Sequence, residues 1–128
     1  MSRKLILICD DDERLAQAIA TRVEHEQYEA VVARDGCAAL EVALARCPDL
    51  LIFDINMPAG NGFSVHERLR HLENFALRPL IFMSGEHGDW LRQSALEHGA
   101  FAFLRKPFEI SELLALVRQA TGDAPIRA

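Results

Sequence analysis

The chain has 128 residues, 50% of them hydrophobic, and a formal net charge of -5 at pH 7. That length suits one domain burying roughly two thirds of its unfolded surface, and the interspersed acids and bases leave no basic stripe for direct nucleic-acid binding. No apolar run nears the roughly 18 residues of a membrane span and no signal-peptide core opens the chain, so a soluble, cytoplasmic protein is expected.

The first apolar run, LILIC at 5–9, leads into Asp10, Asp11 and Asp12. Its residues are continuous rather than alternating, as in a strand covered on both faces. Residues 12–26 then place Leu15, Ile19 and Val23 on one helical stripe, with Asp12 as the cap. YEAVVA at 28–33 predicts the second strand. In the helix expected over 37–47, Leu40, Leu44 and Cys47 form the inward stripe, with Gly36 before it and Pro48 ending it. DLLIF at 49–53 predicts the third strand and runs into Asp54. A less regular helix is expected over 63–74, with Leu69 and Leu72 facing inward. LIFM at 80–83 is the fourth strand, followed by Ser84. Residues 89–98 bring Leu91, Ala95 and Leu96 to one side, and Gly99 stops that helix. FAFL at 101–104 precedes Lys106, and residues 109–121 carry the strongest stripe: Ile110, Leu113, Leu114 and Val117.

Five strand–helix units predict a doubly wound α/β domain with a parallel sheet over residues 1–121. Residues 122–128 read as a frayed tail or the start of a linker. The three cysteines, Cys9, Cys37 and Cys47, are odd in number and lack metal spacing. They fit a reducing compartment and buried, inert thiols.

Ligands of such sheets bind beyond the carboxyl ends of the strands, where the strand order reverses. Four of the five strands deliver a polar residue to that edge: the Asp10–Asp11–Asp12 triplet, Asp54, Ser84 and Lys106. Taken singly, each is also an ordinary cap or loop residue. Taken together, two carboxylate strands, a hydroxyl and an ammonium form a pattern that caps do not explain. Two carboxylates about 4 Å apart repel by roughly 4 kcal/mol at an effective dielectric near 20. A hard divalent cation removes that penalty, and Mg²⁺ takes one or two carboxylates together with water and phosphate oxygens. A phosphoryl group is therefore the expected guest, with Lys106 and Ser84 reaching it from the other side.

The ordered set of the acidic pair after the first strand, DINMPAGNG at 54–62, FMSGE at 82–86 and KPF at 106–108 resembles the receiver domain of bacterial two-component response regulators, over about residues 4–121. The resemblance implies a flavodoxin-like, chemotaxis-regulator-like sheet of strand order 2-1-3-4-5 with five helices. It implies that Asp54 accepts a phosphoryl group from a sensor histidine kinase or a histidine phosphotransfer protein. Asp11, Asp54 and the backbone carbonyl of Asn56 would hold Mg²⁺ or Mn²⁺, with Asp10 acting through water. Ser84 would hydrogen-bond the phosphoryl group and Lys106 would pair with it. Such a domain assists its own phosphorylation and dephosphorylation and is not a turnover enzyme. Phosphorylation would switch the face built from the fourth helix, fifth strand and fifth helix, through which a monomer or weak dimer meets an unidentified output. Pro58, Gly60, Asn61 and Gly62 would shape the loop under the metal, and the Lys106–Pro107 bond matches the family's cis peptide.

Ser84 stands where the family often has Thr, and Phe103 where it often has Tyr. Without a phenolic group, Phe103 is expected to turn inward. Asn56 and Glu86, two residues beyond Asp54 and Ser84, line the family's hydrolytic water path, and Gly85 adds room, so a phosphoryl lifetime of seconds to minutes is expected. Trp90 lies opposite Leu91 and Ala95 on its helix and reads either as a partner contact or as a side chain partly covered by the neighbouring loop. Of the histidines, His66 and His71 are not at the i, i+4 spacing of a helical ligand pair, His25 and His98 lie near helix ends, and His87, three residues past Ser84, is not expected to reach the site. The alternatives are an aspartate-based phosphohydrolase, whose second acid is missing at Asn56, and a pseudo-receiver that acts by binding alone.

Overall fold

In the computed structural model, which describes residues 3–56, 62–72, 75, 78–85 and 89–123, strands and helices alternate. The elements are β1 (Leu5–Cys9), α1 (Glu13–His25), β2 (Glu29–Ala33), α2 (Gly36–Arg46), β3 (Leu50–Asp54), α3 (Gly62–Leu69), β4 (Leu80–Ser84), α4 (Asp89–Glu97), β5 (Ala102–Arg105) and α5 (Ile110–Thr121). The five strands are parallel, in the order β2-β1-β3-β4-β5, as the resemblance implies.

Every residue of β1, β3 and β4 is buried, because successive side chains point to opposite faces and both faces are covered. Ile6, Ile8, Leu50, Ile52, Ile81 and Met83 meet Ile19 and Val23 of α1 and Leu113, Leu114 and Val117 of α5. Leu7, Leu51, Phe53 and Phe82 meet Ala39 and Ala43 of α2, Val65 and Leu69 of α3, and Leu91 and Ala95 of α4. Helices α1 and α5 therefore cover one face, and α2, α3 and α4 the other.

Local signals set the helix ends. The Asp12 carboxylate accepts hydrogen bonds from the N–H groups of Arg14 and Leu15 and caps α1. Asp35 caps α2 through the N–H of Ala38. Gly99 and Gly122 take positive φ of 86° and 77° at the ends of α4 and α5, where glycine carries no Cβ penalty. The Lys106–Pro107 bond is cis. Beyond Gly122, the Asp123 carboxylate accepts a hydrogen bond from the Tyr28 hydroxyl (2.6 Å) and pairs with the Lys4 ammonium (3.1 Å). The Tyr28 hydrogen bond is the largest influence holding the Asp123 carboxyl down at about 2. Residues 124–128 of the expected tail lie outside the described residues.

Four sequence expectations are corrected. In α2 the inward residues are Gly36, Ala39 and Ala43; small side chains let the helix sit close to the sheet. Leu44 is consequently 53% exposed, with Leu40 only partly buried against the core. Helix α3 stops at Leu69 and does not reach 74: the Leu72 N–H turns back to the Leu69 carbonyl at 2.9 Å, a tighter turn that leaves Leu72 39% exposed. Leu96 is 53% exposed, being one residue, or about 100°, past the buried Ala95. Cys9 alone of the cysteines is buried; Cys37 is exposed and Cys47 intermediate. Burial, with Asp35, Asp10, Asp54 and Asp11 adding to it, pushes the Cys9 thiol up to about 12, so it is inert toward thiolate chemistry.

Candidate functional site

The order β2-β1-β3 makes the chain leave β1 toward one edge and later return on its other side, so the carboxyl ends of β1 and β3 splay apart. Asp54 is the last residue of β3 and Asp10 the first after β1. Asp10, Asp54 and Ser84 are buried, at 0%, 5% and 0% exposure. Ligand oxygens of Asp10, Asp11 and Asp54 lie within 4.8 Å of one another, with Asp11 exposed and its neighbours buried.

Lys106 follows β5 and reaches across the end of the sheet. Its ammonium donates to Asp10 Oδ2 at 2.7 Å and to Asp54 Oδ2 at 3.1 Å. The two backbone turns supply the remaining donors: the Asp12 N–H to Asp10 Oδ1 at 2.9 Å and the Asn56 N–H to Asp54 Oδ1 at 3.1 Å. Each buried carboxylate is thus held by a lysine on one oxygen and a backbone amide on the other. Ser84 ends β4 beside them, and its carbonyl accepts from the Lys106 N–H at 2.8 Å, which fixes where the lysine stem begins.

Burial is the largest influence on Asp54, pushing its carboxyl up to about 6; the Lys106 charge opposes it, the Asp10 charge adds to it, and hydrogen bonds from Lys106 and Asn56 pull it back. Burial alone would lower Lys106, but the hydrogen bond to Asp10 and the charges of Asp54 and Asp10 outweigh it, so the ammonium is raised above its ordinary range. At neutral pH the Asp54 carboxylate is therefore ionised beside the Lys106 ammonium. Among the described residues, the cluster of Asp10, Asp11 and Asp54 offers hard oxygen donors, which fit a magnesium-like ion and not a softer metal that prefers nitrogen or sulfur.

Gly62, the first residue of α3, sits against the Asp54 backbone. A Cβ there would lie 2.7 Å from the Asp54 carbonyl oxygen and 3.2 Å from Phe82 Cε1. Gly62→Ala must push β3 or α3 aside, with an expected loss of about 1–3 kcal/mol and a slower reaction at Asp54. Urea midpoints and phosphoryl uptake, measured together, check both effects.

The sequence-predicted residues Asp10, Asp11, Asp54, Ser84 and Lys106 thus meet at one edge. Glu86, His87, Pro58, Gly60 and Asn61 lie outside the described residues, and Gly85 is exposed. Phe103 is 5% exposed, with the Arg92 guanidinium 5.3 Å from its ring centroid. Nothing in the sequence pairs Arg92 with Phe103, because they lie on different elements and meet only in the fold. Trp90 is 62% exposed, and Leu96 and Phe101 are also exposed, Phe101 at 38%. Among the described residues, no helix is long and apolar enough to cross a membrane.

Fold and site together define a flavodoxin-like α/β domain with a carboxylate cluster and a facing lysine at the carboxyl edge of its sheet. The chain belongs to the response regulator receiver domain family, whose model matches residues 6–118. It is 34% identical over 120 residues to the response regulator ArlR of Staphylococcus saprophyticus, covering 94% of this chain and 53% of that protein. The chain therefore spans about half the length of the curated relatives it matches. Among solved structures, the Francisella response regulator 1452 receiver domain aligns with a TM-score of 0.86 at 30% identity, over 94% of this chain and 98% of that one. The chemotaxis response regulator CheY4 of Vibrio cholerae aligns with a TM-score of 0.86 at 27% identity, over 93% and 99%.

Proposed function

We propose that this receiver is a phosphorylation-operated switch in which Asp54 is the phosphoacceptor and the donor is a sensor histidine kinase or a histidine phosphotransfer protein. The observation that carries the reading is the single ammonium of Lys106 standing 2.7 Å from Asp10 and 3.1 Å from Asp54 at the end of the sheet. An Asp54 oxygen attacks phosphorus; the bond from phosphorus to the donor imidazole nitrogen, or to the oxygen of a small acyl phosphate, breaks, and its electron pair leaves with the donor. Negative charge moves from the carboxylate onto the phosphoryl oxygens, and Lys106 is near enough to follow it. The Ser84 hydroxyl donates to a second phosphoryl oxygen. Asp11, Asp54 and the Asn56 carbonyl would hold Mg²⁺, with Asp10 acting through water. When bound, the cation neutralises the equatorial phosphoryl oxygens, which together with positioning is most of what phosphoryl transfer requires.

The signal is read on the face of α4, β5 and α5. Trp90 and Leu96 give that face exposed apolar area for a partner or a second copy, and drawing Ser84 inward would repack it. A cytoplasmic setting follows from the kinase.

Incubation with acetyl phosphate and Mg²⁺ tests the reading. The expected result is a gain of one phosphoryl group per chain that decays in seconds to minutes, with no gain in Asp54→Ala. Steady turnover of an external phosphoester would point to a hydrolase, and no reaction to a domain acting by binding alone. Persistence for hours would overturn the open water path at Asn56 and Gly85.

A further inference from the structure

Helices α3 and α4 meet through two imidazoles that the phosphoryl chemistry does not use. His98, just past the end of α4, stacks on Phe63 of α3 at 4.6 Å between centroids and 8° between planes. Phe63 stands edge-on to Phe82 of β4 at 4.9 Å, and His66 of α3 stands edge-on to the same ring at 5.8 Å. The two imidazoles are 6.3 Å apart. Phe82 is the ring packed beside Gly62 and the Asp54 backbone. One aromatic column therefore runs from the imidazole pair to the back of the acidic site.

The Nδ1 atoms of His66 and His98 are buried and have no hydrogen-bond partner among the described residues. A neutral imidazole tolerates this by keeping its proton on Nε2, whereas an imidazolium carries protons on both nitrogens. Charging His66 thus buries an unpaired N–H as well as a charge. The charged groups around the pair differ for its two members. Glu67 of α3 places a carboxylate 4.0 Å from His98 Nδ1. Burial is the chief influence holding His66 below the ordinary histidine range, with His98 from α4 and Arg70 from α3 adding to it and Glu67 opposing it; β4 contributes the uncharged Phe82.

We propose that the His66–His98 pair is a proton-sensitive joint: as pH falls below neutral, protonation of His66 loosens the packing of α3 against α4 behind the acidic site. The sign follows from linkage. The unfolded chain binds the His66 proton more tightly than the folded chain, so the joint's full stability is present above about pH 6.5 and is lost as pH falls toward the lowered folded value. Asp54 titrates nearby with the opposite sign, but equally in any His66 variant, so it cancels in a comparison.

The test is urea unfolding of the whole chain, wild type against His66→Phe, at about pH 7.5 and about pH 5 in EDTA. Phenylalanine keeps the edge contact with Phe82 and cannot be charged. The expected result is a wild-type midpoint that falls relative to the variant's on acidification. A wild-type-minus-variant difference that does not change with pH would overturn the joint. Ring NMR of wild-type His66 decides the matter even should the variant fail to fold: titration below about 6.5 supports the joint, and titration at or above that value overturns it. Neither readout involves phosphoryl uptake, so the joint and the phosphoacceptor reading stand or fall separately.

Discussion

Replacing Asp54 with asparagine is expected to abolish phosphoryl uptake and, in metal-free solution near neutral pH, to make the protein more stable by about 1–3 kcal/mol. The wild-type carboxyl, 5% exposed, is pushed up to about 6 from an ordinary 3.8. Because the folded state binds this proton more tightly than the unfolded state, the ionised carboxylate opposes folding above about pH 6. That opposition fades as pH falls through the folded value and is gone below about 3.8. Asparagine keeps the shape, can still accept from the Asn56 N–H, and leaves Lys106 paired with Asp10 at 2.7 Å. Urea midpoints in EDTA from about pH 8 to about pH 4 should show the variant ahead at the alkaline end and the two converging at the acid end. Mg²⁺ should narrow or reverse the gap, since it binds the wild-type fold more tightly. A variant less stable than wild type in EDTA at neutral pH would mean that burial and the Asp10 charge do not raise the Asp54 carboxyl.

Removing Lys106 should do the reverse, and by more. Lys106→Met keeps the stem and deletes the one ammonium between a carboxylate with 0% side-chain exposure and another with 7%. Breaking a buried ion pair at one partner costs about 3–5 kcal/mol, because the remaining charges stay buried without compensation. The Asp54 carboxyl should then titrate higher still, and the variant should lean on Mg²⁺ more heavily than wild type does. A double-mutant cycle separates this from lost packing. If the loss comes from stranded carboxylates, Lys106→Met combined with Asp54→Asn should be less destabilised than the sum of the two single effects. Strict additivity, or a neutral Lys106→Met, would show that the lysine is not a counter-charge.

The strands and the acidic edge were legible because their signals are local. LILIC followed by Asp10, and DLLIF followed by Asp54, announce a strand covered on both faces and the point where it meets solvent. Asp12 reads as a cap from its place before an amphipathic stripe, and it caps. Helix rotation was less legible. In α2 the largest side chains suggested a Leu40–Leu44–Cys47 stripe, but three small residues, Gly36, Ala39 and Ala43, face the sheet: hydrophobicity names the apolar residues, whereas close approach selects the small ones. The same limit applies to Leu96, apolar and exposed. The Arg92–Phe103 contact, the Phe63–Phe82–His98 column and the closeness of Gly62 to the Asp54 carbonyl could not be seen at all from the sequence. Each joins residues on different elements, and only the packing of helices on the sheet brings them together.

The account depends on carboxylates from two strands and a lysine from a third converging so that one particular aspartate takes the phosphoryl group. The most direct test is to treat the chain with acetyl phosphate and Mg²⁺, trap the acyl phosphate with borohydride, and locate the reduced residue by peptide mass mapping. Homoserine at position 54, and at neither Asp10 nor Asp11, is the expected result. Reduction at another carboxylate, or none anywhere while phosphate is taken up, would contradict it.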